Sequence, residues 1–217
     1  MRTLKEKNLK SILSLKYLEN DNITFIETKK LISTPFEKEL INVLELLAGR
    51  KELPETRING YFFESRKFAL EYDDQLSYNR YRLKTFRSDI YQNFPGIKLD
   101  KVRNYCNKYE KECLKSGSAP GLWTNPEAEN LFGKAEQPGD FGLNGASGWK
   151  LRAYQDFLKD IYSRFSKVRL LRISCWDEIL INKQLHKIGD LLNNPSEKTA
   201  EHILKFIERR VINLYID

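Results

Sequence analysis

With 217 residues, 41% of them hydrophobic, the chain is long enough to bury a substantial core, and its size points to one elaborated domain rather than two. Lysine and arginine outnumber aspartate and glutamate by 37 to 30, and the resulting charge of +7 favours a polyanionic partner over an acidic small substrate. Three cysteines without a CxxC pair spell out neither a disulfide framework nor a four-ligand zinc site, no run of about 18 apolar residues marks a membrane span, and the basic start around Arg2, Lys5, Lys7 and Lys10 lacks the apolar segment of a secretory signal, so a reducing, cytoplasmic compartment is expected.

Residues 1–32 read as an N-terminal extension with a short helix and a strand at 23–26. Thr34, Pro35, Phe36 and Glu37 then form a helix start, with Thr34 as N-cap, Pro35 in the first turn and Glu37 closing a capping box. Leu40, Val43, Leu44 and Leu47 continue at helical spacing until Gly49 stops the run, which predicts a helix over 35–48. Residues 58–64 and 68–73 are aromatic and aliphatic and are separated by Ser65, Arg66 and Lys67, the spacing of an antiparallel hairpin. Residues 80–91 lack Gly and Pro and read as a basic helix.

From about 95 to 148 periodicity weakens while Gly, Pro and Asn accumulate. This is an insertion with one helix over 99–114, and Trp123, Phe132, Phe141 and Trp149 give it too many large rings for a disordered linker. A helix follows over 149–165, with Leu151, Tyr154, Phe157, Leu158 and Ile161 on its apolar side, then a strand over 168–176. The tail, 177–217, reads as two amphipathic helices near 179–192 and 196–214. Cys106 and Cys113 have only His186 and His202 as distant co-ligands, a weak case for zinc.

The chemistry concentrates in Phe68–Asp73, where a strand delivers two carboxylates. Side chains alternate on a strand, so Glu71 and Asp73 share a face, a hard-oxygen pair suited to Mg²⁺. Immediately after it, Tyr78, Arg80, Tyr81, Arg82, Lys84 and Arg87 interleave rings with cations, a mixture that suits phosphates and bases. The plainer reading is a strand end reaching water, with Arg80 and Arg82 paired to nearby acids. Glu37 is accounted for by its capping box, and Lys150, Arg152 and Lys159 by a solvated helix face. Arg172 stands between apolar residues in a strand and needs a carboxylate or a phosphate.

The order of capped helix, hairpin ending in Leu70-Glu71-Tyr72-Asp73, basic helix, helix carrying Arg152 to Asp160, and strand Leu171-Arg172-Ile173 resembles the PD-(D/E)XK nuclease superfamily, in particular its branch related to very short patch repair endonucleases. The resemblance covers roughly residues 33–92 and 149–176. It implies an α/β, restriction-endonuclease-like fold, a mixed central sheet flanked by helices over residues 33–176, with the insertion and the helical tail as additions. It further implies Mg²⁺ (or Mn²⁺) held by Glu71 and Asp73, with Asn59 or Glu64 as an added oxygen, and Lys150 or Lys159 and the early Glu37 as catalytic groups. Arg80, Arg82, Lys84, Arg87, Arg152 and Arg172 would contact DNA, and a homodimer is compatible with the pattern. Two departures stand out. Asn59 precedes Gly60 where the branch has Asp, and Gln75, Ser77 and Tyr78 occupy the stretch where it often carries His. A catalytically degenerate relative that binds nucleic acid or assembles with partners is the alternative, and an unrelated protein whose aromatic insertion contacts another protein is the third reading.

Overall fold

The computed structural model describes residues 3–20 and 24–215. In chain order the elements are α1 (Leu4–Ser14), β1 (Phe25–Glu27), α2 (Glu37–Ala48), β2 (Arg57–Asn59), β3 (Phe63–Glu64), β4 (Ala69–Asp73) and α3 (Arg80–Thr85). The insertion contributes α4 (Leu99–Lys108), α5 (Glu110–Gly117) and α6 (Pro126–Phe132), and it is followed by α7 (Ser147–Ser166) and β5 (Leu170–Ser174). The tail holds β6 (Glu178–Ile181), β7 (Gln184–Lys187), α8 (Ile188–Leu191) and α9 (Glu197–Asn213). The chain is therefore a mixed α/β protein. Among the described residues no helix is long and apolar enough to cross a membrane.

The central sheet has the order β3-β4-β5, with β3 antiparallel and β5 parallel to β4. All five residues of β4 and all five of β5 are buried, as expected for strands covered on both faces. Register pairs Glu71 with Arg172 and Asp73 with Ser174. Among the described residues β5 meets no fourth strand. Its outward N–H groups are taken instead by the Gly96 carbonyl, at 3.2 Å from Arg172, and by Asp177 Oδ2, at 3.0 Å from Ser174. Gly96 comes so close that a Cβ would stand 1.7 Å from the Leu170 carbonyl oxygen, so this position admits glycine alone. Arg210 of α9 holds the plug from behind, donating to Gly96 O at 3.1 Å and Asp177 Oδ2 at 3.1 Å.

The long helix α7 packs between the sheet, α3 and α6, with Tyr154, Phe157, Leu158 and Ile161 fully buried. The insertion closes onto its first turn through an aromatic cluster: Trp123 lies 5.3 Å from Trp149 and 5.3 Å from Phe141 between ring centres. Gly148 makes this approach possible, since a Cβ there would sit 2.2 Å from the Leu122 carbonyl oxygen.

Several boundaries differ from the sequence reading, each for a local reason. The strand expected over 58–64 is two short strands, because β2 pairs with β1 and the chain then kinks. At the kink, carboxylates replace carbonyls as backbone acceptors: Tyr61 N–H donates to Glu64 Oε1 at 3.3 Å and Phe62 N–H to Glu71 Oε1 at 2.7 Å. The first strand occupies 25–27, and Ile23 lies outside the described residues. α2 begins at Glu37, whose carboxylate accepts from Ser33 N–H at 2.8 Å; Thr34 donates to Leu31 O, so the expected capping box is not formed. The basic helix ends at Thr85, and Ser88 caps a separate 3₁₀ turn over Asp89–Tyr91. The helix expected over 99–114 breaks at Tyr109 into α4 and α5. The helix expected over 179–192 is mostly the β6–β7 hairpin, turned by Asn182 and Lys183 with φ of 50° and 66°, the two positive values of a type I′ turn.

Candidate functional site

The side chains of α7 decide which acids and cations can meet. Arg152, Gln155, Asp156 and Lys159 stand at i, i+3, i+4 and i+7 and share one face. That face, the end of β4 and the kink at 60–62 enclose a polar cleft of about 630 Å³, with Asn59, Glu71, Arg152, Gln155, Asp156 and Lys159 among its walls. In its wall Lys159 Nζ lies 2.9 Å from Glu71 Oε2. Glu71 therefore spans two elements, gripping the kink with one oxygen and the helix with the other. Arg152 leans over the cleft from Asp74, at 2.8 Å, and Ser77, at 3.4 Å.

Asp73 leaves the same face of β4 and meets a different fate. It is bonded to the Arg172 guanidinium inside a buried ionic network. Arg172 also donates to Asp160 Oδ1 at 2.6 Å and to the Asp156 backbone carbonyl at 3.0 Å, and it pairs with Asp156 Oδ1 at 3.3 Å. Arg82 completes the network, donating to Asp160 Oδ2 at 2.7 Å, while the Tyr91 hydroxyl donates to the same oxygen at 2.6 Å. Three carboxylates thus face two guanidinium groups away from water. Burial pushes Asp73 up to about 7 despite the pull of Arg172, with the neighbouring Asp156 charge adding to the rise. For Asp156 burial acts in the same direction, but Arg172, Arg82, Arg152 and Lys159 together outweigh it and hold the carboxyl down at about 2. Asp156 is thus an anion that belongs to both regions, with Oδ1 on Arg172 and Oδ2 without a hydrogen-bond partner.

The remaining expected site residues are dispersed. Asn59 lines the cleft. Glu64 does not; it accepts from Thr24 Oγ1 at 2.7 Å and faces a neighbouring cavity. Glu37 serves the start of α2. Lys150 is corrected: nine residues before Lys159, it is about 13 Å away along the axis and half a turn out of phase. It is buried against the Tyr81 ring with Nζ donating to Asn144 Oδ1 at 2.6 Å, and burial, with Lys84 nearby, lowers its pKa.

The expected phosphate grip also changes. Arg82 and Arg172, only 2% and 3% exposed, are committed to carboxylates and cannot reach a ligand backbone without dismantling the core. Arg80 makes a two-pronged pair with Glu110 at 2.9 Å on each prong, and Lys84 reaches Leu46 O at 3.4 Å. Arg87 is exposed, and Arg152 faces the cleft with one guanidinium nitrogen on Asp74 and Ser77 and its Nε without a partner. Sequence reasoning missed Gln155 and Asp156, although the i, i+3, i+4, i+7 spacing with Arg152 and Lys159 carried their signal, and named Asp160 only as the acid of that helix without its role in the buried network. Among the described residues no group of three or more His, Cys, Asp and Glu side chains is arranged to hold a metal ion, and Cys106 and Cys113 are buried with their thiols pushed up to about 12 by burial.

No curated protein matches the chain, and no solved structure matches it. The sequence model of DUF7255, a family of unknown function, matches residues 39–194, a span that takes in the ionic network, the insertion and all of the cleft wall but Glu6, and the chain belongs to that family.

Proposed function

We propose that the chain is a divalent-metal-dependent nuclease on a restriction-endonuclease-like scaffold, with the Glu71–Lys159 pair as its centre. The observation that supports this most is the placement of that pair, 2.9 Å apart, on the wall of a cleft that also carries Arg152, Asn59 and Asp156. The hairpin-plus-parallel-strand arrangement of β3, β4 and β5 agrees with the scaffold.

Glu71 and Asp156 fit Mg²⁺ or Mn²⁺ as a donor set once Lys159 yields Glu71 Oε2: both are carboxylates on the cleft, Asp156 keeps an oxygen without a partner, and Mg²⁺ commonly takes only one or two protein carboxylates. Asp73 does not fit, since its carboxylate is sequestered by Arg172. When bound, such an ion would polarise the scissile phosphate and acidify a water. Arg152 would orient the phosphate, and the Lys159 ammonium would neutralise charge that builds on it. DNA cleavage assayed with Mg²⁺, Mn²⁺ and EDTA tests the reading. Wild type should cut only with metal and Glu71→Ala should not cut; equal cleavage by both removes the site.

The uncharged Asn59 and the sequestered Asp73 favour a second reading, a nucleic-acid-binding or assembly module without turnover. Metal-independent binding with no cleavage under any condition supports it.

A further inference from the structure

Beside the polar cleft, and sharing Arg152 and Gln155 with it, lies a second chamber of about 160 Å³ walled by Leu76, Leu122, Trp149 and Leu151. Its lining differs sharply from the cleft, being mostly apolar. The chamber is a depression open to solvent on one side, and its volume is of the order that one flat ring occupies. The backbone that carries Leu122 is pinned to the first turn of α7, where Gly148 N–H donates to the Trp123 carbonyl at 2.9 Å. Leu122 itself remains 42% exposed. At the boundary between the two cavities, the Gln155 amide makes no hydrogen bond with any described residue, and Arg152 Nε is buried without a partner.

A ring-sized apolar chamber, an uncommitted amide at its edge and cations next door match one kind of occupant, a flat heterocycle with a polar rim tethered to a phosphate. Resting on the nuclease reading above, we propose that the chamber receives one unstacked nucleobase of a strand whose adjoining phosphate lies against Arg152 and Lys159. The substrate is then single-stranded nucleic acid or a frayed end. In an intact duplex each base is stacked and paired, and extruding it costs energy that an already single strand does not lose.

The test is fluorescence anisotropy in EDTA, so that binding is read without cleavage. Its probes are a labelled oligothymidylate, the same strand with abasic positions, and its duplex. Wild type should bind the intact single strand about tenfold more tightly than the abasic strand, the size of one base–ring contact, and should prefer it to the duplex. Leu122→Trp, which fills the chamber from a half-exposed position, should bind intact and abasic strands alike. Gln155→Ala, which breaks no internal hydrogen bond, should lose part of the preference; melting curves confirm that both variants fold. Equal wild-type affinity for intact and abasic strands, or a preference that survives Leu122→Trp, overturns the base chamber and leaves the cleft reading intact. Failure of wild type to bind any of the three probes overturns both.

Discussion

Glu71 and Asp73 project from one face of one strand, two residues apart, yet one opens onto a cleft and the other is locked in the interior. The difference lies in what stands opposite each. Glu71 meets a lysine, a single flexible charge at the rim of the cleft, 21% exposed at its side chain. Asp73 meets Arg172, whose fork is already shared with Asp156 and Asp160. A cation at a water-lined wall can exchange its partner for a ligand, whereas a guanidinium enclosed by carboxylates is tied to the fold. Identical local geometry thus yields a site at one end and a structural tie at the other.

The sharpest way to break this contrast is Arg172→Leu. It leaves three buried carboxylates facing one guanidinium and should cost roughly 3–5 kcal/mol of stability, read from the denaturant midpoint. A loss below about 1 kcal/mol would show that the network is not a tie. If the proposed nuclease reading holds, Lys159→Ala should do the reverse, lowering cleavage by about 10²–10³ while shifting stability by less than about 1 kcal/mol, as expected for one charge-stabilising donor at a partly solvated site.

Acidity separates the two ends further. The Asp73 carboxyl lies at about 7 in the fold against an ordinary 3.8, so the folded state holds the extra proton between those values. Stability contributed by that proton is fully present below pH 3.8 and is lost as pH rises toward 7. Asp156, held at about 2, acts oppositely: its contribution is present above 3.8 and disappears as pH falls toward 2. Denaturation midpoints measured from pH 2 to 8 should therefore peak near the crossover, and Asp73→Asn should flatten the decline on the alkaline side while leaving the acid limb in place. A wild-type midpoint that climbs steadily from pH 4 to 7 contradicts this assignment. The smallest effect belongs to the surface: Arg80→Ala should cost about 0–1 kcal/mol, because its pair with Glu110 is half exposed. Combining it with Arg82→Ala should lower the melting temperature sharply, since the second arginine is a core residue.

Much of this arrangement could be read from the sequence. The pairing of β3 with β4, a strand within 168–176, the long helix after the insertion and the last helix follow from periodicity and turn residues, and the packing of the insertion follows from its large rings. The hairpin at Asn182 and Lys183 was hidden because its turn lacks glycine and the apolar residues Ile181, Leu185 and Ile188, at i, i+4 and i+7, also fit a helical period. Charge assignment failed for a different reason. Alternation shows that Arg172 is buried and needs an anion, but not whether the anion is a ligand phosphate or Asp160, twelve residues earlier on another element. Lys150 and Lys159 could have been separated by helix phase alone.

The plug on β5 carries a consequence for how the molecule behaves among its own copies. An open strand edge is a template on which another chain can grow a sheet. Here the Gly96 carbonyl and the Asp177 carboxylate occupy that template, and a single arginine on the last helix fastens both. The terminal helix is in this sense a latch on the same sheet that carries Glu71. Arg210→Ala, which frees the plug while leaving the buried Val211 and Leu214 in place, should keep the cleft residues and lose solubility first, through edge-to-edge association.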